Sequence, residues 1–189
     1  MAYTPCAQNL GANIAIACSN PPKPGFTGEG VLIDLGNTTP NIVVSGTNER
    51  ILTSVTLASG DKVAVVDNVW RDPFSGSQRA LNVENGRAVF DLQLSMRVPL
   101  RSADAAKNIV EPLAKSHFIG IFPTVDNKFL VYGYYGKFQA SEMTQNEGEN
   151  GGDCVVTMAS QEPFYVTELW DTDYATTKAI YDALVAKAF

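Results

Sequence analysis

The feature that most constrains the fold is the alternation of apolar and polar side chains over residues 87–98. A period of two is that of a β-strand with one dry face and one wet face. At about 3.4 Å per residue this strand would be on the order of 40 Å long, about twice the ordinary length. Asn85-Gly86, directly before it, favours a two-residue type I′ turn. The sequence therefore predicts a long hairpin that reaches past its own domain. Its apolar face consists of Ala88, Phe90, Leu92, Leu94, Met96 and Val98.

Short β-branched segments separated by turn residues surround this hairpin. Four precede it, at residues 30–35, 41–45, 51–57 and 62–67. Four follow it, at residues 117–123, 129–135, 154–159 and 164–169. Residues 137–147 alternate without a clearly apolar face, which predicts a solvated edge or a wall between water and a partner. A spacing of about ten residues is typical of a sandwich or barrel. The predicted fold class is mainly β, a β-sandwich or barrel with a long hairpin, plus one central and one C-terminal helix.

The central helix is predicted at about 102–115. Ser102 is its expected N-cap, and Ile109 and Leu113 fall on one face at helical spacing. Pro112 is expected to kink or shorten it, because proline lacks the backbone N–H that a helix interior needs.

The chain divides into an N-terminal arm at 1–28, a β domain at 29–170 and a C-terminal helix at 171–189. Three prolines between residues 21 and 24 hold the arm near polyproline II, so it cannot be a central strand. A free tail and an arm laid on a neighbouring subunit both fit this composition. Asp171 or Thr172 is the expected cap of the last helix.

Composition and motifs disfavour catalysis. Fourteen basic and twenty acidic side chains give a net charge of −6, so no positive field attracts nucleic acid or anionic lipid. The glycines near residue 28 precede a strand and do not form a phosphate-binding motif. The single histidine, His117, and three dispersed cysteines, Cys6, Cys18 and Cys154, offer no triad or metal-binding spacing. We therefore predict no enzymatic activity, no cofactor and no metal.

The sequence also carries no targeting pattern. The first residues lack a basic region followed by a long apolar run, and nothing approaches the roughly 20 apolar residues of a membrane helix. We expect folding in a cytoplasm, with reduced cysteines and no membrane contact.

Two segments carry a family resemblance: FDLQLSMRVPLRSADAAKNIVEPLAKSHFIGIF (90–122) and VDNKFLVYGYYGKFQASEMTQNEGENGGDCVVTMASQEPFYV (125–166). The order of a long hairpin, one helix, a glycine- and tyrosine-rich segment, a polar strand, a loop and a strand resembles the tail-tube and related virion proteins of bacteriophages. The resemblance implies structural β-sandwich subunits that assemble in the host cytoplasm into hexameric rings. The rings would stack into a tube that conducts DNA during ejection without binding it specifically, beside other virion proteins.

On this reading, residues divide into two predicted groups. The predicted subunit contacts are Ile14, Ile16, Pro22, Trp70, Phe74, Phe90, Leu92 and Leu94. The predicted lumen-facing residues are Asp91, Gln93, Ser95, Glu142, Glu147 and Glu149. An acidic chain suits a conduit, because a like-charged lining keeps a polyanion from adhering.

Other classes stay open at this point. Another virion part, such as a connector, ring or capsid-decoration protein, has the same sequence features. A small β-rich ligand-binding or lectin-like module is a second alternative, and an enzyme of unrecognised type a third. The ligand-binding module would use Trp70, Phe74, Tyr132, Tyr134 and Tyr135.

Overall fold

The structure is a computed structural model that describes residues 25–66, 76–84, 87–98, 102–145 and 153–189. Within these ranges eleven strands form two sheets, accompanied by a central and a C-terminal helical segment. The predicted fold class is therefore confirmed. The strands are β1 (Gly30–Asp34), β2 (Asn41–Val44), β3 (Ile51–Thr56), β4 (Ala64–Val66), β5 (Gly76–Glu84), β6 (Arg87–Val98), β7 (Phe118–Pro123), β8 (Phe129–Tyr132), β9 (Gln139–Gln145), β10 (Cys154–Glu162) and β11 (Thr167–Leu169). The helical elements are α1 (Ala103–Ala105), a π-helical turn at Ala106–Val110, α2 (Glu111–Lys115) and α3 (Tyr174–Val185).

The large sheet has seven strands in the order β2-β3-β11-β8-β7-β1-β4 and is covered on both faces. One face packs against the small sheet, and the other packs under α3. β7 shows the consequence: Phe118 to Phe122 are all buried, with Phe122 in the first core cluster and Ile121 in the second. A continuous apolar run is expected of a strand that is buried on both faces.

The small sheet has four antiparallel strands in the order β5-β6-β10-β9. β6 pairs with β5 from Ser95 to Arg87 and with β10 from Val98 to Phe90. The expectation that this long strand reaches past its domain is therefore wrong for most of its length. β6 lies inside its own sheet, and only residues 87–89 extend beyond the last pair with β10.

The apolar face of β6 belongs to the core between the two sheets. Leu92 and Leu94, which were predicted as subunit contacts, are 1% and 0% exposed and share a cluster with Phe122 and Tyr132 of the large sheet. Their assignment to a subunit interface is corrected: the chain's own second sheet covers them.

The central helix departs from α-helical periodicity. Ile109 is 43% exposed, whereas Val110 and Leu113 pack on the core. The π-helical turn at Ala106–Val110 closes i→i+5 bonds, which rotates the side chains away from the spacing of an α-helix. Pro112 does not end the helix, because it lies in the first turn of α2.

Of the two predicted helix N-caps, one is confirmed and the other is wrong. Ser102 is the N-cap of α1 as predicted, and its Oγ accepts a backbone N–H at 3.1 Å. The cap of α3 is Asp173, whose carboxylate accepts the N–H of Thr176 at 2.7 Å. The prediction of Asp171 or Thr172 is therefore wrong.

Strand ends also differ from the sequence pattern. β8 ends at Tyr132 because Gly133 turns the chain with φ +82°. β10 continues past Ala159 to Glu162, and β11 is limited to Thr167–Leu169.

The chain joins the domain at the end of the predicted arm. Phe26 forms a bridge with Thr124, and its ring lies 5.6 Å from that of Phe122. The N–H of Thr27 donates to the carbonyl of Pro123 at 2.9 Å. Phe26 therefore adds an isolated bridge beside the end of β7, and its buried ring ties this segment to the core.

Candidate assembly surface

The outer face of the small sheet points away from the core and is polar. On β6 its side chains alternate with buried Leu92 and Leu94. The register continues this face across the sheet, because Ser95 lies opposite Thr157 of β10, and Thr157 lies opposite Glu142 of β9. The outer face comprises Gln78, Ala80, Asn82, Val89, Asp91, Gln93, Ser95, Arg97, Gln139, Glu142, Thr144, Val155, Thr157, Ala159 and Gln161. Four predicted lumen-facing residues, Asp91, Gln93, Ser95 and Glu142, thus share one face.

Hydrogen bonds run laterally across this outer face. The Asn82 amide donates to the Asp91 carboxylate at 3.0 Å, and the hydroxyls of Ser95 and Thr157 lie 3.1 Å apart. Arg97 forms an ion pair with Asp153 at 3.7 Å. Most other side chains on the face are uncharged amides, hydroxyls or small residues. The face is therefore wettable and carries few charges.

Both outer edges of the small sheet are free of strand partners among the described residues. No described strand pairs with the outer side of β5 or of β9. Each strand of this sheet is antiparallel to the next, so β5 and β9 run in opposite directions. A β9 from a second molecule could therefore continue the sheet beside β5 in the antiparallel sense.

The strand ends are stepped along the sheet. β9 starts its pairing at Gln139 opposite Ala159, while β10 extends three residues further to Glu162, opposite Phe90. The β5–β6 hairpin extends further again, to the pair Glu84–Arg87. Such a stagger is what a sheet needs before it can close into a barrel with tilted strands.

A buried carboxylate fixes the loop between β8 and β9 against the end of β10. Glu162 is 1% exposed and accepts the N–H of Gly133 at 2.7 Å and the N–H of Tyr135 at 3.2 Å. Burial raises the pKa of Glu162, although these amides favour its charged form. A Cβ on Gly133 would lie 2.4 Å from the carbonyl oxygen of Phe118, so this loop requires glycine there. Glu162 was not among the predicted residues.

Of the aromatic residues of the ligand-binding alternative, the structure describes Tyr132, Tyr134 and Tyr135, and these three do not form one open cage. Tyr132 is fully buried, with the Arg79 guanidinium 5.5 Å from its ring centre and donating to its hydroxyl at 3.1 Å. Burial raises the pKa of Tyr132. Tyr134 and Tyr135 pack edge to face at 4.6 Å, and Tyr135 contacts Phe164 at 5.1 Å. Tyr132 is therefore a core residue.

Several predicted residues fall outside the described ranges, so their roles stay predictions. Among the predicted subunit contacts these are Ile14, Ile16, Pro22, Trp70 and Phe74; among the predicted lumen residues they are Glu147 and Glu149. Phe90 is described and half-buried, near the turn end of the β5–β6 hairpin.

The described part of the chain offers little reactive chemistry. It contains no group of three His, Cys, Asp or Glu side chains that could hold a metal ion. Cys154 is buried with a free thiol, and burial raises its pKa. His117 is half-buried beside β7, and its carbonyl accepts the N–H of Leu35 at 3.0 Å.

No protein-family model, curated protein or solved structure matches this chain. Among the described helices, none combines the length and apolar character needed to cross a lipid bilayer.

Proposed function

We propose that this chain is a structural subunit of a bacteriophage particle, a tail-tube protein whose copies form stacked rings around a passage for DNA. The observation that carries the proposal is the small sheet: two strand edges without described partners, opposite in direction, flank a sheet with one polar face. An edge without a strand partner is a template for pairing with another chain, and natural proteins pair or cover such edges. Among the described elements only α2 packs beside β9, and it adds no strand to the sheet.

Ring closure follows from pairing unlike edges. β5 of one copy pairs with β9 of the next, and such a head-to-tail contact generates a ring when its rotation closes. Six copies, each contributing four strands, then line one continuous wall. The stepped strand ends suit the strand tilt of such a wall.

The polar face supplies the surface that DNA would pass. Its amides and hydroxyls stay hydrated, and Asp91 and Glu142 add negative charge that repels phosphate, with Arg97 held by Asp153. The net charge of −6 per copy acts in the same direction, because a negative electrostatic potential repels a polyanion. The mechanism is thus mechanical and electrostatic, and no covalent step is involved.

The test is the assembly state of the purified full chain, examined by sedimentation velocity and negative-stain electron microscopy over a range of concentrations and salt. We expect closed rings with a central opening, together with stacked tubes. Discrete rings that never stack would favour another virion ring or connector. A chain that stays monomeric at all concentrations tested would contradict both.

A further inference from the structure

The tip of the β5–β6 hairpin extends beyond the rest of the small sheet. β10 ends where Glu162 lies opposite Phe90. The pairs Asn82–Val89, Val83–Ala88 and Glu84–Arg87 continue past this point as a two-stranded ribbon. No described strand flanks these three pairs on either side.

The inner face of this ribbon is apolar and uncovered. Leu81 and Val83 lie on the same face as Leu92 and Leu94, since Leu81 is opposite Phe90 and side chains alternate along a strand. Yet Leu81 is 62% and Val83 66% exposed, while Leu92 and Leu94 are buried. The apolar face that forms the core at Leu92 and Leu94 therefore continues onto the ribbon, where no described part of the chain covers it.

Two aromatic rings border the exposed part. The ring of Phe90 lies 5.4 Å from that of Tyr165, edge to face, and Tyr165 is 52% exposed. The Arg79 guanidinium lies 5.7 Å from the Tyr165 ring centre. We call Leu81, Val83, Phe90 and Tyr165 the tip patch. A contiguous apolar patch on a strand end marks an interaction surface more often than an isolated exposed side chain does.

The direction of the ribbon indicates the occupant. If copies close into a ring through β5 and β9, lateral neighbours meet at the strand edges, and strands tilt about 35–45° from the ring axis. The ribbon extends along its strands and so projects out of the plane of the ring. We propose, on the basis of the proposed ring, that the tip patch docks on a copy of this chain in the next ring and forms the axial contact of the tube.

The size of the patch fits this occupant better than a simple dimer. Stable interfaces bury about 800 Å² on each partner, more than four side chains supply. In a ring every copy presents the same patch at once, and such multivalent contacts hold together although each is weak alone. The patch should therefore act only after rings have formed.

The test is the double variant Leu81→Lys/Val83→Lys, compared with Val43→Lys/Val125→Lys. The control removes two valines that are 48% and 39% exposed on the large sheet and its β7–β8 turn, and it adds the same charge. Tube length is measured by negative-stain electron microscopy, and rings are quantified by sedimentation velocity. Leu81 and Val83 lie on β5, whose backbone edge makes the proposed lateral contact, but their side chains project from its inner face. We therefore expect the tip variant to form rings of normal diameter with tubes at least about tenfold shorter, while the control forms tubes like the parent chain. A tip variant that forms no rings, beside a control that does, would place these side chains in the lateral contact and overturn the axial one.

A gentler variant, Leu81→Gln/Val83→Thr, keeps side-chain size and strand propensity and should also shorten the tubes. Tubes of full length in either tip variant would overturn the axial contact and leave the proposed function standing. A parent chain that forms no rings would contradict the proposed function itself, and with it this contact.

Discussion

Replacing Glu162 should reveal how strongly the buried carboxylate stabilises the fold. Glu162→Ala removes the acceptor for the N–H groups of Gly133 and Tyr135, and each unsatisfied buried donor costs about 1–3 kcal/mol, or about 2–6 kcal/mol for the two. The Tyr135 amide can recover part of this from water, since its residue is 38% exposed. Removing the buried carboxylate also removes the cost of its desolvation, which offsets a further part of the lost stability. We expect a net loss of about 2–4 kcal/mol, a large share of a typical total stability of about 5–15 kcal/mol.

Glu162→Gln keeps the volume and one acceptor but turns an NH₂ group toward the second amide donor, so we expect a smaller loss of about 1–3 kcal/mol. The free energy of unfolding is measured by urea denaturation, with Glu142→Gln as the control, because Glu142 is exposed on β9. Surface substitutions ordinarily change the free energy of unfolding by no more than about 0.5 kcal/mol. A Glu162→Ala variant whose free energy of unfolding lies within about 0.5 kcal/mol of that of the parent chain would refute the stabilising role of this carboxylate.

The pKa of Glu162 predicts the direction in which the free energy of unfolding changes with pH. Burial raises the pKa of Glu162 above its ordinary 4.5, so ionisation costs more in the folded than in the unfolded chain. The stabilisation from this carboxyl is complete below pH 4.5 and is lost as the pH rises through the raised folded-state pKa. The difference in unfolding free energy between the parent chain and Glu162→Gln should therefore shrink as the pH rises from 4.5 through the raised folded-state pKa. A difference that grows over this interval would contradict the direction.

Two further predictions concern packing and capping. Leu94→Ala should cost about 2–5 kcal/mol in the isolated subunit because Leu94 is fully buried in the core of the single chain; an unchanged thermal unfolding midpoint in the monomer would mean that a neighbouring subunit covers it after all. Asp173→Ala should cost about 1 kcal/mol through loss of the α3 cap, measured by urea denaturation, whereas Thr172→Ala should have little effect. Equal losses in these two variants would contradict the assignment of the cap.

The hairpin and most strand positions could be predicted because their signal is local. The alternation over residues 87–98 identifies which face of β6 is dry, and Leu92 and Leu94 are indeed buried. What covers that face depends on residues distant in sequence, Phe122 and Tyr132 among them. The sequence pattern alone could not distinguish the chain's own sheet from a neighbouring subunit.

The misassigned helix features have equally specific causes. Asp171, Thr172 and Asp173 are all acceptable caps, and the sequence does not distinguish them. In the structure the carboxylate of Asp173 accepts the N–H of Thr176, while Asp171 contacts the first turn through its own backbone N–H, which donates to Thr177 Oγ1 at 2.9 Å. The π-helical turn before Pro112 has no propensity signal of its own. It shifts the helical period enough to expose Ile109.

Glu162 escaped prediction for a related reason. Ser160 and Glu162 interrupt the apolar alternation of β10, so the strand was expected to end near Ala159. The strand continues because the Gly133 and Tyr135 amides satisfy the carboxylate. An acidic residue at an inward position, four residues beyond Met158, the last apolar residue on that face, was the available signal.

The two edges of the small sheet that have no strand partner among the described residues are different strands, and in the proposed ring this difference makes assembly sensitive to damaged copies. Growth of the proposed ring through unlike edges would be directional, so each added copy would have to present an intact β5 and an intact β9. A copy damaged at one edge would still join through the other and would then stop further addition. A small fraction of defective chains would therefore block the completion of many rings, so assembly would depend on both strands being intact in nearly every copy.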